Sequence, residues 1–435
     1  MLGSFAVFIA AAPLIILYAM GYRLGYGDSG SAPVGVVLLE SVPTRAQTFA
    51  AGEYIGRTPE SVPNITAGTM HVRVALEDYV SWEKTIAVAP GRATEVRDIR
   101  LFPTDPVRTT LASDVATFSV APNRRLLVVA TDNNQLAVLD TEGTAVTRSV
   151  VVPEIPTALL WSPDSVAVLV TSSRSLPRML SATTGRLTTL TTLRGAHDYA
   201  WDPRVSSRLL YVGADDGLHA LNVATGATSE LTADITEFAT SSRHIFAISR
   251  TNTVRVHDLQ GKLLSSTPSF DTPIAGIYVT PGGEVAARSV DGALYVVSPD
   301  GTANLIAPEL AAAGWSPNGR MLFVQSDTNS LHVYNVRDER WPLSREELHL
   351  VQRLSRPITS VQWFAGGRHL LYQVNDEIIV TEIDTRDHPI TYQVDSVNLG
   401  DAQAAVGEDG EVLFYLKDQQ GSRDLIAAQL IVTAE

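Results

Sequence analysis

The sequence predicts an all-β protein with one N-terminal transmembrane helix, and three observations predict it. An uncharged apolar run opens the chain, a stretch of short alternating strands follows, and a motif then recurs about every 40 residues to the end. Composition sets the bounds. At roughly 100–200 residues per domain, 435 residues allow two or three domains. Hydrophobic residues make up 45% and charged ones 18%, which excludes a disordered, collagen-like or coiled-coil chain. The net charge of −14 argues against a general nucleic-acid binder. There is no cysteine, so disulfide scaffolds, thiolate metal sites and thiol catalysis are all excluded. Only three lysines occur, Lys84, Lys262 and Lys417.

The first element is read over residues 1–23. Leu2 to Tyr22 are 21 residues without a formal charge, rich in Ala, Leu, Ile, Val and Phe. As a helix they would extend about 31 Å, close to the roughly 30 Å of a hydrocarbon core. Tyr18 and Tyr22 stand where interfacial aromatics belong, and Arg23 ends the run. No basic residue precedes the apolar stretch and no small-x-small cleavage site follows it, so an uncleaved anchor is expected rather than a signal peptide. Arg23 alone would place the following chain in the cytoplasm. Residues 24–33 (LGYGDSGSAP) read as a flexible linker.

Residues 34–103 hold five or so strand-length segments, among them Val34-Gly35-Val36-Val37-Leu38-Leu39 and the alternating Met70–Leu76, which predict a small antiparallel β-sandwich. Within it, Pro43-Thr44-Arg45-Ala46 precedes Gly56-Arg57-Thr58-Pro59, then Gly68-Thr69-Met70-His71-Val72, then Asp78-Tyr79 and Trp82. In order and spacing this resembles the PEGA domain, a β-module of bacterial and archaeal envelope proteins. The naming motif keeps only its Pro and Ala, with Arg45 where the family has glycine. The resemblance implies surface or polymer interaction without catalysis, and an exported body, which outweighs the single Arg23.

From residue 104 to 435 an aromatic-Ser-Pro-Asp/Asn motif recurs, clearest at Trp161-Ser162-Pro163-Asp164 and Trp315-Ser316-Pro317-Asn318. Its copies fall at 120, 161, 201, 239, 279, 315, 363 and 406, each followed by short apolar strands split by polar turns. Such a period marks propeller blades, because one four-stranded sheet cannot bury both faces alone and stacked blades can. Eight blades are predicted, with seven as the alternative. The repeats are similar to those of TolB-like and WD-repeat-like propellers, a likeness silent about function. The tryptophans are expected between blades rather than as ligand platforms, and the Asp/Asn/Gly turns as turn chemistry rather than calcium loops. The longest spacing contains Trp341–Leu348, where Ser344 and Glu347 form a capping-box pattern that predicts a short helix.

No metalloprotease, P-loop, nucleophile-elbow or dinucleotide motif occurs, and the nine histidines are scattered. No catalytic, cofactor-binding or metal-ligating residue is therefore assigned. Tyr54 and Tyr79 are the candidate ligand contacts, with packing as their competing role. The expected function is non-enzymatic binding or scaffolding at the cell envelope by a single-pass membrane protein. Its body would lie outside the cytoplasm, and the propeller would present a face to a protein or glycan partner. A propeller hydrolase or lyase acting on envelope polysaccharide is the alternative, and it requires carboxylates and arginines converging on one channel mouth. A cytoplasmic, membrane-tethered platform is the third possibility.

Overall fold

The computed structural model describes residues 34–267, 270–297, 302–337, 343–399 and 403–431. The chain divides into two compact units. One comprises the described residues up to Pro106 together with Asp384–Ile390 and 430–431; the other comprises Val107–Ile383 and Thr391–Gln429.

The first unit is two facing sheets. A three-stranded sheet orders Glu60–Thr66, Val34–Val42 and Ala93–Arg100, and a four-stranded sheet orders Glu53–Arg57, Gln47–Ala50, Gly68–Ala75 and Trp82–Val88. Alternation decides which side chains enter: Val37, Leu39, Val72, Val74, Trp82, Ile86 and Val96 are buried between the sheets. The expected sandwich was antiparallel throughout, but Val34–Val42 and Ala93–Arg100 pair in parallel. Five intervening strands separate them in sequence, which supplies the long crossover a parallel pair needs. Lys84 is fully buried here, with its Nζ donating to the Asp384 carbonyl at 2.6 Å and 3.5 Å from the Asp384 carboxylate.

The second unit consists of eight four-stranded antiparallel sheets, blades 1 to 8. Their innermost strands are, in order, Val115–Val120, Ala158–Trp161, His197–Trp201, Ile235–Thr240, Ile274–Val279, Ala312–Trp315, Ile358–Trp363 and Ala404–Val406. The recurring sequence mark sits at the last residue of seven of these strands and one residue earlier in the fourth. Blades 1 to 7 run from inner to outer strand in sequence order. Blade 8 takes its outermost strand, Arg108–Ala112, from the start of the unit, paired antiparallel to Ser422–Gln429. Apolar clusters bridge successive blades; one joins Val128, Leu136 and Val138 of blade 1 to Trp161, Val168 and Leu180 of blade 2.

Two expectations are corrected. Among the described residues no helix is long and apolar enough to cross a membrane, and helical backbone is confined to three single turns. The fold is all-β and propeller-like, and the transmembrane helix read over 1–23 lies outside the described residues. Apolar length is a necessary condition for a span and not a sufficient one. The short helix expected over Trp341–Leu348 is replaced, where described, by a turn from Leu343 to Glu347 that feeds the strand Leu348–Arg353. Glu346 takes a φ of 57° and gives its N–H to Asn335 O at 2.7 Å, so the backbone cannot continue as a helix.

Candidate functional site

Four innermost strands end in a tight turn built by the side chain just after the sequence mark, Ser162, Asp202, Thr280 and Ser316. Ser162 Oγ donates to Asp164 Oδ1 at 2.6 Å and accepts from Ala167 N, and Ser316 repeats the pattern with Asn318 and Met321 N. Asp202 accepts from Arg204 N and binds Arg208 Nη1 at 2.9 Å. These side chains satisfy turn backbone, which is the chemistry of turn residues. Among the described residues no group of three or more His, Asp or Glu could hold a metal ion.

The tryptophans are spent on the seams. Trp161 Nε1 donates to Ser119 O at 3.1 Å, Trp201 to Leu160 O at 3.0 Å, Trp315 to Tyr278 O at 3.1 Å and Trp363 to Gly314 O at 2.7 Å. In every case the acceptor lies on the innermost strand of the preceding blade. The indole supplies apolar area to the inter-blade core, and its one N–H satisfies a carbonyl that the neighbouring ladder leaves open.

Where these strand ends converge lies a cavity of about 1020 Å³, lined from blades 1, 2, 3, 4, 6, 7 and 8. Its wall is mostly apolar, including Ala121, Leu160, Ala200, Trp161 and Trp363, with Tyr199 and Gln362 among its polar groups. Tyr199 donates its hydroxyl to Ala196 O, and burial pushes that hydroxyl's pKa up. Arg124 and Asp409 are the only charged lining residues among those described, and the Arg124 guanidinium donates to Val406 O. The converging carboxylates and arginines that a hydrolase or lyase requires are not found in this lining.

Further along the innermost strands, four polar side chains reach into the next blade. Gln362 Nε2 donates to Ala404 O at 3.0 Å, and Gln403 binds both backbone groups of Phe118. Asp198 accepts from Phe238 N and Glu237 from Ile277 N. Burial raises the pKa of both carboxyls, and the charge of Asp198 raises that of Glu237 further. Sequence reasoning did not single these four out.

The two candidate contacts fall on different elements of the first unit. Tyr54, on the edge strand Glu53–Arg57, is 58% exposed and meets Phe49 edge-on at 5.8 Å. The Arg73 guanidinium lies 4.0 Å from the centroid of the Phe49 ring. Tyr79 follows the strand Gly68–Ala75, bridges to Pro103 through its backbone and packs against the sandwich core.

Comparison with known proteins agrees with this architecture. Residues 34–103 match the family model of the PEGA domain. No curated protein matches the chain. Among solved structures, the C-terminal WD40 domain of Sif2 is 13% identical with a TM-score of 0.53, the match covering 74% of this chain and 99% of that one. The computationally designed Ika8 protein is 13% identical with a TM-score of 0.51, covering 73% and 96%. The Dos1 propeller is 12% identical with a TM-score of 0.50, covering 76% and 97%. At these identities the likeness shows the fold alone, a β-propeller.

Proposed function

We propose that this protein is a non-catalytic binding scaffold of the cell envelope. The mouth of the propeller cavity would receive a protein partner, and the PEGA unit would act as spacer or wall contact. The observation that carries the reading is how the cavity wall is committed. Its indoles and its guanidinium are bound to carbonyls of adjoining blades. What remains is a rigid, mostly apolar concavity with a backbone rim, suited to complementarity rather than to bond-making. The envelope location, with the body outside the cytoplasm, draws its support from the PEGA match of residues 34–103. A glycan partner for the first unit is a finer version of the same reading, with the exposed Tyr54 as its contact.

Blocking the mouth tests the binding role. Ala365→Trp and Pro122→Trp place indoles at lining positions and are expected to abolish partner capture from envelope extracts while leaving Tm within about 2 °C of the parent. Capture that survives both substitutions would overturn the assignment of the mouth. The location is tested by protease treatment of intact and lysed cells. Digestion in intact cells is expected, and protection there with digestion after lysis would contradict an exposed body.

A further inference from the structure

Gln403 makes the most complete of the inter-blade contacts. Its Oε1 accepts from Phe118 N at 3.2 Å, and its Nε2 donates to Phe118 O at 2.6 Å. One amide can hold both groups because the N–H and C=O of a residue in an antiparallel strand point to the same side. Asp198 and Glu237 stand three residues before the last residue of their strands, as Gln403, just ahead of the strand Ala404–Val406, stands before Val406. Phe238 and Ile277 in turn match Phe118, each two residues before the end of its strand. Asp198 Oδ2 accepts from Phe238 N at 2.8 Å and Glu237 Oε1 accepts from Ile277 N at 3.3 Å. An ionised carboxylate can take the N–H but has no hydrogen to give the adjoining carbonyl, whereas a carboxylic acid, like an amide, has both.

We propose that Asp198 and Glu237 are proton-operated clasps. On taking a proton from solvent at the free carboxyl oxygen, each donates to the carbonyl of Phe238 or Ile277. That closes the seams between blades 3 and 4 and between blades 4 and 5, as Gln403 closes the seam between blades 8 and 1. No covalent bond of the protein changes.

The surroundings favour the protonated form. Neither carboxyl has an ion pair among the described residues. Burial raises Asp198 against the lowering by the Phe238 N–H bond and by the neighbouring His197, and burial together with the charge of Asp198 raises Glu237. The strand Arg208–Val212 packed against them brings Arg208, which is tied to Asp202 and Leu259 O, and Tyr211, which stacks on His219. His244 on the strand His244–Ser249 meets Phe246 edge-on. Tyr278 on the strand Ile274–Val279 gives its carbonyl to Trp315, and on the strand Val285–Ser289 paired with it Arg288 lies opposite Gly276 with a buried Nε that makes no hydrogen bond among the described residues. None of these is hydrogen-bonded to either carboxyl.

The test is thermal unfolding of the full chain between about pH 5 and pH 8. A carboxyl whose folded pKa is raised contributes stability at low pH that is lost as pH rises through that value. Asp198→Asn and Glu237→Gln copy the protonated form. Together they are expected to unfold about 2–4 °C above the parent at pH 8, with the difference shrinking as pH falls. Asp198 holds a φ of 51°, which also suits asparagine, so the slope with pH is the readout rather than a constant offset. The converse variant Gln403→Glu is expected to lose stability at pH 8 and regain it in acid. A difference flat with pH, or a double variant less stable than the parent at pH 8, would overturn the proposal. Should the variants fail to fold, amide exchange of Phe238 and Ile277 in the parent decides. Protection beyond the intrinsic pH effect is expected to rise as pH falls, and unchanged protection would refute the clasp.

Discussion

Arg45 stands where the PEGA naming motif has glycine, and its φ is 66°, in the left-handed region that glycine enters without cost. The turn survives the exchange because it is held from outside: Arg45 N donates to Thr58 O at 2.7 Å, and Arg57 Nη1 donates to Arg45 O at 3.2 Å. Arg45→Gly should therefore relieve backbone strain by more than it loosens the unfolded chain, a net gain of about 0.5–1 kcal/mol in denaturant unfolding. A loss of similar size would mean that the arginine side chain supports the turn. Tyr79 shows the limit of reading single residues. An aromatic after an Asp turn looks available in sequence, yet it packs on the sandwich core, whereas Tyr54 keeps most of its surface in solvent.

At the scale of elements, the innermost strand was the part most legible in the sequence. Its terminal Trp-Ser-Pro-Asp signature combines an inter-blade anchor with a turn, and both roles constrain residue type at fixed spacing. The clasp residues were not legible, because a polar residue three places before the mark also fits an exposed strand position. The fourth blade carries its mark one residue off the strand end, which hides Glu237 from alignment with Asp198 and Gln403. The seam between blades 7 and 8 was equally hidden. There Asp395, on the strand Thr391–Ser396, accepts from Tyr415 Oη and from Lys417 Nζ at 2.9 Å, and lies 3.3 Å from Arg108 Nε. Burial pushes its pKa up, but the hydrogen bonds from Tyr415 and Lys417 outweigh burial and hold it below the usual carboxylate range. A lowered carboxyl stabilises the fold above its unfolded pKa, and that contribution is lost as pH falls through the folded value. Asp395→Asn is thus expected to cost about 2 kcal/mol near neutral pH, with the gap to the parent closing below about pH 4. A gap independent of pH would sink the assignment. Its slope is opposite to that of the Asp198 and Glu237 pair, so this seam can be told apart from the other two in one titration.

For the whole molecule, ring closure is the governing feature. The 40-residue period revealed the repeating sheet, but no local pattern shows that the first strand of the second unit, Arg108–Ala112, completes the last blade. That pairing spans more than 300 residues of sequence and is decided by the edge left open on Ser422–Gln429. Alternate residues of an edge strand donate to the ladder, so prolines at both Thr109 and Thr110 must remove at least one of its bonds. The double variant is expected to lose roughly 3 kcal/mol and to lose exchange protection first in blade 8. Protection lost evenly around the ring would show that closure does not rest on this strand.

The binding role is tested most directly by photo-crosslinking in living cells. A photoreactive amino acid is placed at Gly366 on the cavity mouth, where a side chain would meet nothing within 4 Å but must take a φ of 80°, so only a variant that unfolds at the parent's temperature is used. It is also placed at Ser265 on the outermost strand of blade 4 as control. A discrete protein adduct from position 366, absent from position 265, is the predicted result. Adducts from position 265 alone, or none from the mouth, would contradict the scaffold reading.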